Sequence, residues 1–353
     1  MTQIPEIIFD TIIHNHKHFG LITLNRPKTL NATNLKMIIA LHNQLKEWQM
    51  NSSINAVIIN SSSEKSFCAG GDIREIYEQK QKNNQALIDF FWHEYRLNYY
   101  IAHYPKPYIA LLNGITMGGG VGISFHGKYR IATESLLFAM PETSIGFFPD
   151  IGSCYLLSRC PGQIGIYLGL TGARLNAADT HYLGLSNYYM KSADLNNLIT
   201  TLADNNSNSI HDILLSITTS PPSAKLSHPI KLINECFCFN TVEEIITALT
   251  KHSNPWCRET AKSLLTKSPT SLKITLEQLK RAAKLSLADC LIMDYRIANH
   301  LLNKYDFYEG VRALIIDKDN QPNWQPAKLT AIAATDINAY FEPLAEQDEL
   351  SFD

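Results

Sequence analysis

The chain has 353 residues, 45 % of them hydrophobic and 18 % charged, enough apolar material for one large domain or two modest ones. A formal net charge of −2 excludes a global field that would draw nucleic acid or an anionic membrane. No run of about 18 apolar residues predicts a membrane span, and MTQIPEIIFDTII has the character of neither a secretory nor a transit leader.

In chain order, EIIFDTII and FGLITLN read as strands, with HNHKH between them as a polar turn rather than a metal site. RPKTLNATN is a break, and LKMIIALHNQLKEWQ has the three-and-four spacing of a helix. INAVIINSS is a buried strand; FCAGGDIREIYEQ turns at two glycines and enters a helix. Residues 86–104 predict a longer amphipathic helix, KPYIALLNG a strand, GGGVGISFHG a glycine turn, and YRIATESLLFAM a further strand. Strand and helix therefore alternate over about 200 residues, the pattern of an α/β domain. From about residue 195 onward the periods are helical, interrupted by NNSNS and TTSPPS as loops, and the acidic tail AEQDELSFD is expected to fray. The seven cysteines are irregularly spaced and odd in number, which predicts reduced thiols in a cytoplasmic protein and no metal site.

Two glycine turns and one acidic pair carry the chemistry. FCAGGD (67–72) and NGITMGGGVG (113–122) each follow a strand, and glycine lets a backbone approach a ligand and aim its N–H groups outward. Two such turns could direct two N–H groups at one oxygen, the geometry of an oxyanion hole; close packing alone would also explain them. Neither matches a nucleotide phosphate loop. In MPETSIGFFPDIGS, Glu142 and Asp150 lie eight residues apart on an apolar stretch with no basic neighbour. Asp150 occupies a plausible N-cap, whereas Glu142 has no such structural excuse. Two carboxyls held at different pKa values can divide the roles of acid and base.

FCAGGDI, NGITMGGGVGIS, MPETSIGFFPDIG and YLGLTGARLNAADTHYLGLSNYY together resemble the crotonase, or enoyl-CoA hydratase/isomerase, superfamily. Within it the chain is most similar to the 3-hydroxyisobutyryl-CoA hydrolase branch. NPWCRETAKSLLTKSPTSLKITLEQLKRA, LADCLIMDYRIANHLL and DFYEGVRALIIDKDNQPNWQPAKL carry the likeness into the C-terminal half, so that it spans about residues 6–345.

The resemblance implies an α/β fold, a crotonase (ClpP-like) ββα spiral core over residues 1–200, followed by a helical C-terminal region over 201–353. It implies an acyl-CoA thioester as substrate, no separate cofactor, and assembly as a homo-oligomer as one option. The implied oxyanion donors are the N–H groups of Gly71 and Gly119. Glu142 would be the main catalytic carboxylate, as base or nucleophile, and Asp150 its partner in proton transfer. Glu94 would line the acyl pocket. Ala69, Gly70 and Asp72 would meet the adenine, and Arg26 and Lys28 the phosphates. A hydratase carries a second catalytic Glu two residues after its triple glycine; here that position is Gly122. An enoyl- or dienoyl-CoA isomerase or hydratase, and a non-catalytic acyl-CoA-binding protein, are the alternatives.

Overall fold

The computed structural model describes residues 5–79, 84–205 and 209–352. Chain contacts divide it into two compact units, each drawn from three segments. The first comprises Met1–Gly71, Arg96–Phe138 and Leu175–Lys225; the second comprises Asp72–Tyr95, Ala139–Arg174 and Leu226–Asp353. The expected division at residue 200 runs along the chain, whereas these units interleave.

The first unit is built on a sheet. β1 (Ile7–His14) and β2 (Lys17–Leu24) form an antiparallel hairpin in which His14 pairs with Lys17. Its two-residue turn, Asn15–His16, has φ of +47° and +64°, the mirror-image turn that matches strand twist. HNHKH is thus the hairpin tip with its flanking residues. β3 (Ile54–Ser61), β5 (Tyr108–Leu112), β7 (Tyr129–Ala132) and β9 (Tyr188–Tyr189) extend the sheet in parallel, in the order β1-β2-β3-β5-β7-β9. Ala56, Val57, Ile58 and Ile59 are all fully buried, as expected of a parallel strand covered on both faces. Ala56, Ile58, Ile109, Leu111 and Ile131 pack with Leu198, Leu202, Ile213 and Leu214 from two later helices. Near the hairpin, a side chain at Gly20 would come within 2.6 Å of Trp48, on helix α1 (Leu35–Met50). The Asn34 side chain caps α1 by accepting from the Met37 N–H.

A second, three-stranded sheet contains β4 (Ser66–Cys68), β6 (Ile115–Met117) and β8 (Leu137–Ala139). Three more helices matter to function: α2 (Ile73–Gln79), α3 (Asn84–Ala102) and the single turn α4 (Gly119–Gly122). After β9 every described element is helical, as the sequence periods predict. Of the NNSNS patch, residues 206–208 lie outside the described residues. The tail departs from expectation. Leu350 is buried and Arg296 grips the Glu349 carboxylate with two nitrogens at 2.9–3.0 Å, so the chain stays anchored through residue 350. None of the seven cysteines is in a disulfide, and only Cys238 is exposed.

Candidate active site

Within the first unit, β4 and β6 run parallel with Ser66 opposite Ile115 and Cys68 opposite Thr116. Both glycine turns therefore leave the same end of one sheet. They adjoin: a Cβ on Gly70, whose φ is +115°, would lie 3.6 Å from the Gly119 nitrogen. The direction of each donor follows from what pins the preceding carbonyl. The Gly70 C=O accepts from the Thr33 N–H at 2.8 Å and from its hydroxyl at 3.3 Å. A trans peptide then points the Gly71 N–H the opposite way. Likewise the Gly118 C=O accepts from the Val121 N–H at 2.8 Å, and the Gly119 N–H leaves the start of α4 with no acceptor inside the helix. Among the described residues neither N–H donates to a protein acceptor.

Two neighbouring glycines are required by space. A Cβ on Gly120 would stand 2.3 Å from the Cys68 carbonyl oxygen, inside the β4–α4 contact. A Cβ on Gly122 would stand 2.7 Å from the Asn98 amide nitrogen. The space beside Gly122 is thus filled by Asn98, which is fully buried with both amide atoms unpartnered among the described residues.

The acids belong to the second unit. Glu142 opens a short 3-10 turn, Glu142–Ile145, and its backbone C=O accepts from the Phe147 N–H at 3.0 Å. The turn is tied down by Thr143 Oγ1 donating to the Leu170 C=O and by Lys267 donating to Ser144 Oγ. Phe147 stacks on Phe91 and packs on Phe307, forming an apolar wall. Glu142 is 7 % exposed and Oε2 has no partner among the described residues. Asp150, at 6 %, accepts from the Tyr95 hydroxyl at 2.7 Å. It does not cap the following helix, Ser153–Leu157, whose N-cap is Gly152; the carboxylate reaching the Gly152 N–H is that of Asp294. Glu94, on α3, is buried at 2 % exposure rather than displayed to solvent, with Oε1 unpartnered among the described residues.

Burial, with no basic partner among the described residues, drives every pKa in this cluster upward. Desolvation pushes Glu142 well above the ordinary glutamate value, and the Asp150 and Glu94 charges add to it. Glu94 is raised by burial and then by Asp150. Burial lifts Asp150 to about 7, against the Tyr95 hydrogen bond that favours its charged form. Asp294 is lifted to about 8 by burial, with its hydrogen-bond donors opposing.

These shifts set a stability trend. A carboxyl whose folded pKa lies above its unfolded one holds its proton more tightly when folded, so stability is greatest below the unfolded value and declines as pH rises toward the folded value. Asp150→Asn has no such proton to lose. It is expected to melt with wild type near pH 4 and well above it at pH 8, by on the order of 3 kcal/mol. Thermal unfolding across that range checks this; parallel melting curves would refute it.

Arg26 and Lys28 lie in the loop that zips onto the first glycine turn, where the Ala69 N–H donates to the Leu30 C=O. Arg26 Nε meets Glu6 at 3.0 Å and Lys28 is exposed. Asp72 caps α2 by accepting from the Glu75 N–H. Tyr95, Asn98, Gln278 and Asp294 escaped the sequence reading. A signal existed for the last two: Asp294 falls in the buried stripe Leu287, Leu291, Ala298, and Gln278 in the stripe Ser271, Thr275, Ala282, where helical spacing calls for core residues.

Solved structures share this fold over its full length. A carnitinyl-CoA dehydratase from Mycobacterium thermoresistibile is 37 % identical with a TM-score of 0.91, over 98 % of each chain. An enoyl-CoA hydratase from Rhodobacter sphaeroides 2.4.1 is 33 % identical with a TM-score of 0.90, over 99 % of this chain and 100 % of that one. With the adjoining glycine turns, these define a crotonase fold. The profile of the enoyl-CoA hydratase/isomerase family matches residues 19–341, and the chain belongs to that family. Among curated relatives, the mitochondrial 3-hydroxyisobutyryl-CoA hydrolase of Mus musculus is 44 % identical over 337 residues, 93 % of this chain and 88 % of that one. Its Danio rerio counterpart is 43 % identical over the same shares.

Proposed function

We propose that this chain hydrolyses 3-hydroxyisobutyryl-CoA to 3-hydroxyisobutyrate and free CoA. The observation that supports the reading is the filling of the space at position 122 by Asn98, beside turns whose Gly71 and Gly119 N–H groups have no protein acceptor among the described residues. Addition of water across a double bond in this family draws on a second carboxylate there; thioester cleavage does not. The curated relatives named for the hydrolase are also more similar in sequence than the solved structures named for dehydration or hydration.

In this reading the thioester carbonyl is met by the Gly71 and Gly119 N–H groups, which stabilise the tetrahedral oxyanion. Glu142 acts on the carbonyl carbon, either by taking the proton of an attacking water or by attacking itself to form a mixed anhydride that water then opens. Asp150 and its Tyr95 partner move the proton that the departing thiolate needs. Glu94 lines the acyl group. Ala69, Gly70 and Asp72 serve the adenine, and Arg26 and Lys28 the phosphates. Water is the only co-reactant, so no cofactor is invoked. One methyl in a pocket is worth about 1–3 kcal/mol, so 3-hydroxypropionyl-CoA is expected as a slower substrate.

No described helix is long and apolar enough to cross a membrane. Free cysteines fit a reducing compartment, and we propose the cytoplasm from the sequence, although the relatives above are named mitochondrial.

The test is free-thiol release from 3-hydroxyisobutyryl-CoA by the purified protein, with crotonyl-CoA absorbance followed in parallel. Thiol release is the expected result. A change in enoyl absorbance without thiol would move the assignment to hydration or isomerisation. CoA binding with neither signal would indicate a non-catalytic acyl-CoA-binding protein.

A further inference from the structure

The Asp150 carboxyl hangs on a turn that the chain would not adopt unaided. Ile151 has φ +56° and Gly152 φ +70°. Glycine takes that conformation freely, but a β-branched residue there is an outlier that persists only where its surroundings over-determine it.

Two polar side chains grip this turn at both ends. Gln278 Nε2 donates to the Pro149 C=O at 2.9 Å, and the Gly152 N–H donates to Asp294 Oδ2 at 2.8 Å. The grips are joined, because Gln278 Nε2 also donates to Asp294 Oδ1 at 2.6 Å. Cys154 Sγ adds a weak bond to the same oxygen at 3.6 Å. Gln278 comes from helix Pro269–Ala282 and Asp294 from helix Leu287–Leu301, and both are completely buried. Among the described residues no Lys, Arg or His pairs with Asp294. An acid and an amide in core stripes are costly where leucine would serve packing better. Their hydrogen bonds converge on the four residues that carry Asp150.

We propose that Gln278 and Asp294 are positioning residues for Asp150. They clamp the Pro149–Gly152 turn at its two ends and so hold the Asp150 carboxyl against the Tyr95 hydroxyl. As far as it concerns turnover, this rests on the thioesterase reading; the clamp itself does not. It also gives the C-terminal helices a task in the chemistry, since neither clamp residue belongs to the strand-and-turn half of the chain.

The experiment compares wild type with the near-isosteric variants Gln278→Leu and Asp294→Asn. Two readings are made on each: kcat and KM for CoA release, and the titration of the Asp150 carboxyl by carbon-13 NMR, its resonance identified by loss in Asp150→Asn. The groups facing Asp150 are Glu94, Tyr95, Glu142 and Asp294, and all but Asp294 are unchanged in both variants. With the turn loosened, kcat is expected to fall about 10- to 100-fold with KM little changed. The Asp150 midpoint should move down toward that of an ordinary aspartate as water reaches it.

Lower melting temperatures with an unmoved Asp150 midpoint and wild-type kcat would overturn the clamp and leave core support as the whole role. A fall in kcat with an unmoved midpoint would overturn it equally. No CoA release by wild type would overturn the thioesterase reading instead, and the Asp150 midpoint would still decide the clamp. The clamp is decided on the midpoint in Gln278→Leu, because neutralising Asp294 lowers the Asp150 midpoint through lost charge repulsion alone; Gln278→Met carries the test should Gln278→Leu fail to fold.

Discussion

Glu142→Gln is expected to lower kcat for CoA release roughly a thousandfold or more while leaving CoA affinity close to wild type. The substitution keeps the shape of a side chain that is 7 % exposed, and the backbone bond from the Phe147 N–H to residue 142 is untouched. What disappears is a group that can take a proton or form an acyl bond, and an amide does neither. Loss of fold would not explain the result. Burial and the Asp150 and Glu94 charges drive the wild-type Glu142 pKa up, so removing the acid is expected to raise the melting temperature at neutral pH. Steady-state kinetics, CoA titration and thermal unfolding on one preparation check all three statements. Near-normal turnover would remove Glu142 from the mechanism.

Gly120→Ala is the second large effect, and it acts without touching a reacting atom. Its new methyl would stand 2.3 Å from the Cys68 carbonyl oxygen, which is backbone and cannot rotate away. Relief requires α4 to part from β4, and that displaces the Gly119 N–H from the place set by the pinned Gly118 carbonyl. Loss of one oxyanion donor typically costs about 10²–10³ in rate, and kcat is expected to fall by that order. Gly122→Ala is the control. Its methyl also arrives too close, at 2.7 Å, but to the end of the Asn98 side chain rather than to backbone. A smaller loss is expected there. Equal losses in both variants would show that general crowding of α4, and not the Gly119 donor, sets the rate.

The strands, α1, α3 and the two glycine turns were legible because each is written locally: a period of two or of three to four, a cap, or glycines directly after a strand. That the turns adjoin was not local, for it depends on the parallel pairing of Ser66–Cys68 with Ile115–Met117 across 49 residues of chain. Glu142 and Asp150 stood out as acids without basic neighbours, and burial bears out that oddity. For Asp150 the helix-cap explanation fails because the strained Ile151–Gly152 turn intervenes and Asp294 takes the amide. Glu94 could have been an exposed helical charge; only packing shows that it is buried. Tyr95 reaches Asp150 from 55 residues away, and Gln278 and Asp294 reach the neighbouring Pro149 and Gly152 from 129 and 142 residues away, distances that periodicity does not cross. The acidic tail looked solvated because its charges are evident and its anchors are not: Leu350 is a single apolar residue, and Arg296 lies 53 positions upstream of Glu349.

The Asn98–Gly122 contact also imposes an order on mutational change. With the Asn98 amide 2.7 Å from where a Cβ would start, a glutamate arriving first at 122 meets a filled space and costs both stability and the adjoining donor turn. A smaller residue arriving first at 98 removes two unpartnered polar atoms and leaves a vacancy, a change that a well-packed fold absorbs more readily. The two substitutions are therefore coupled, and a larger residue is accommodated at 122 more readily once 98 has been made smaller. Laboratory evolution toward hydration should find position 98 before position 122.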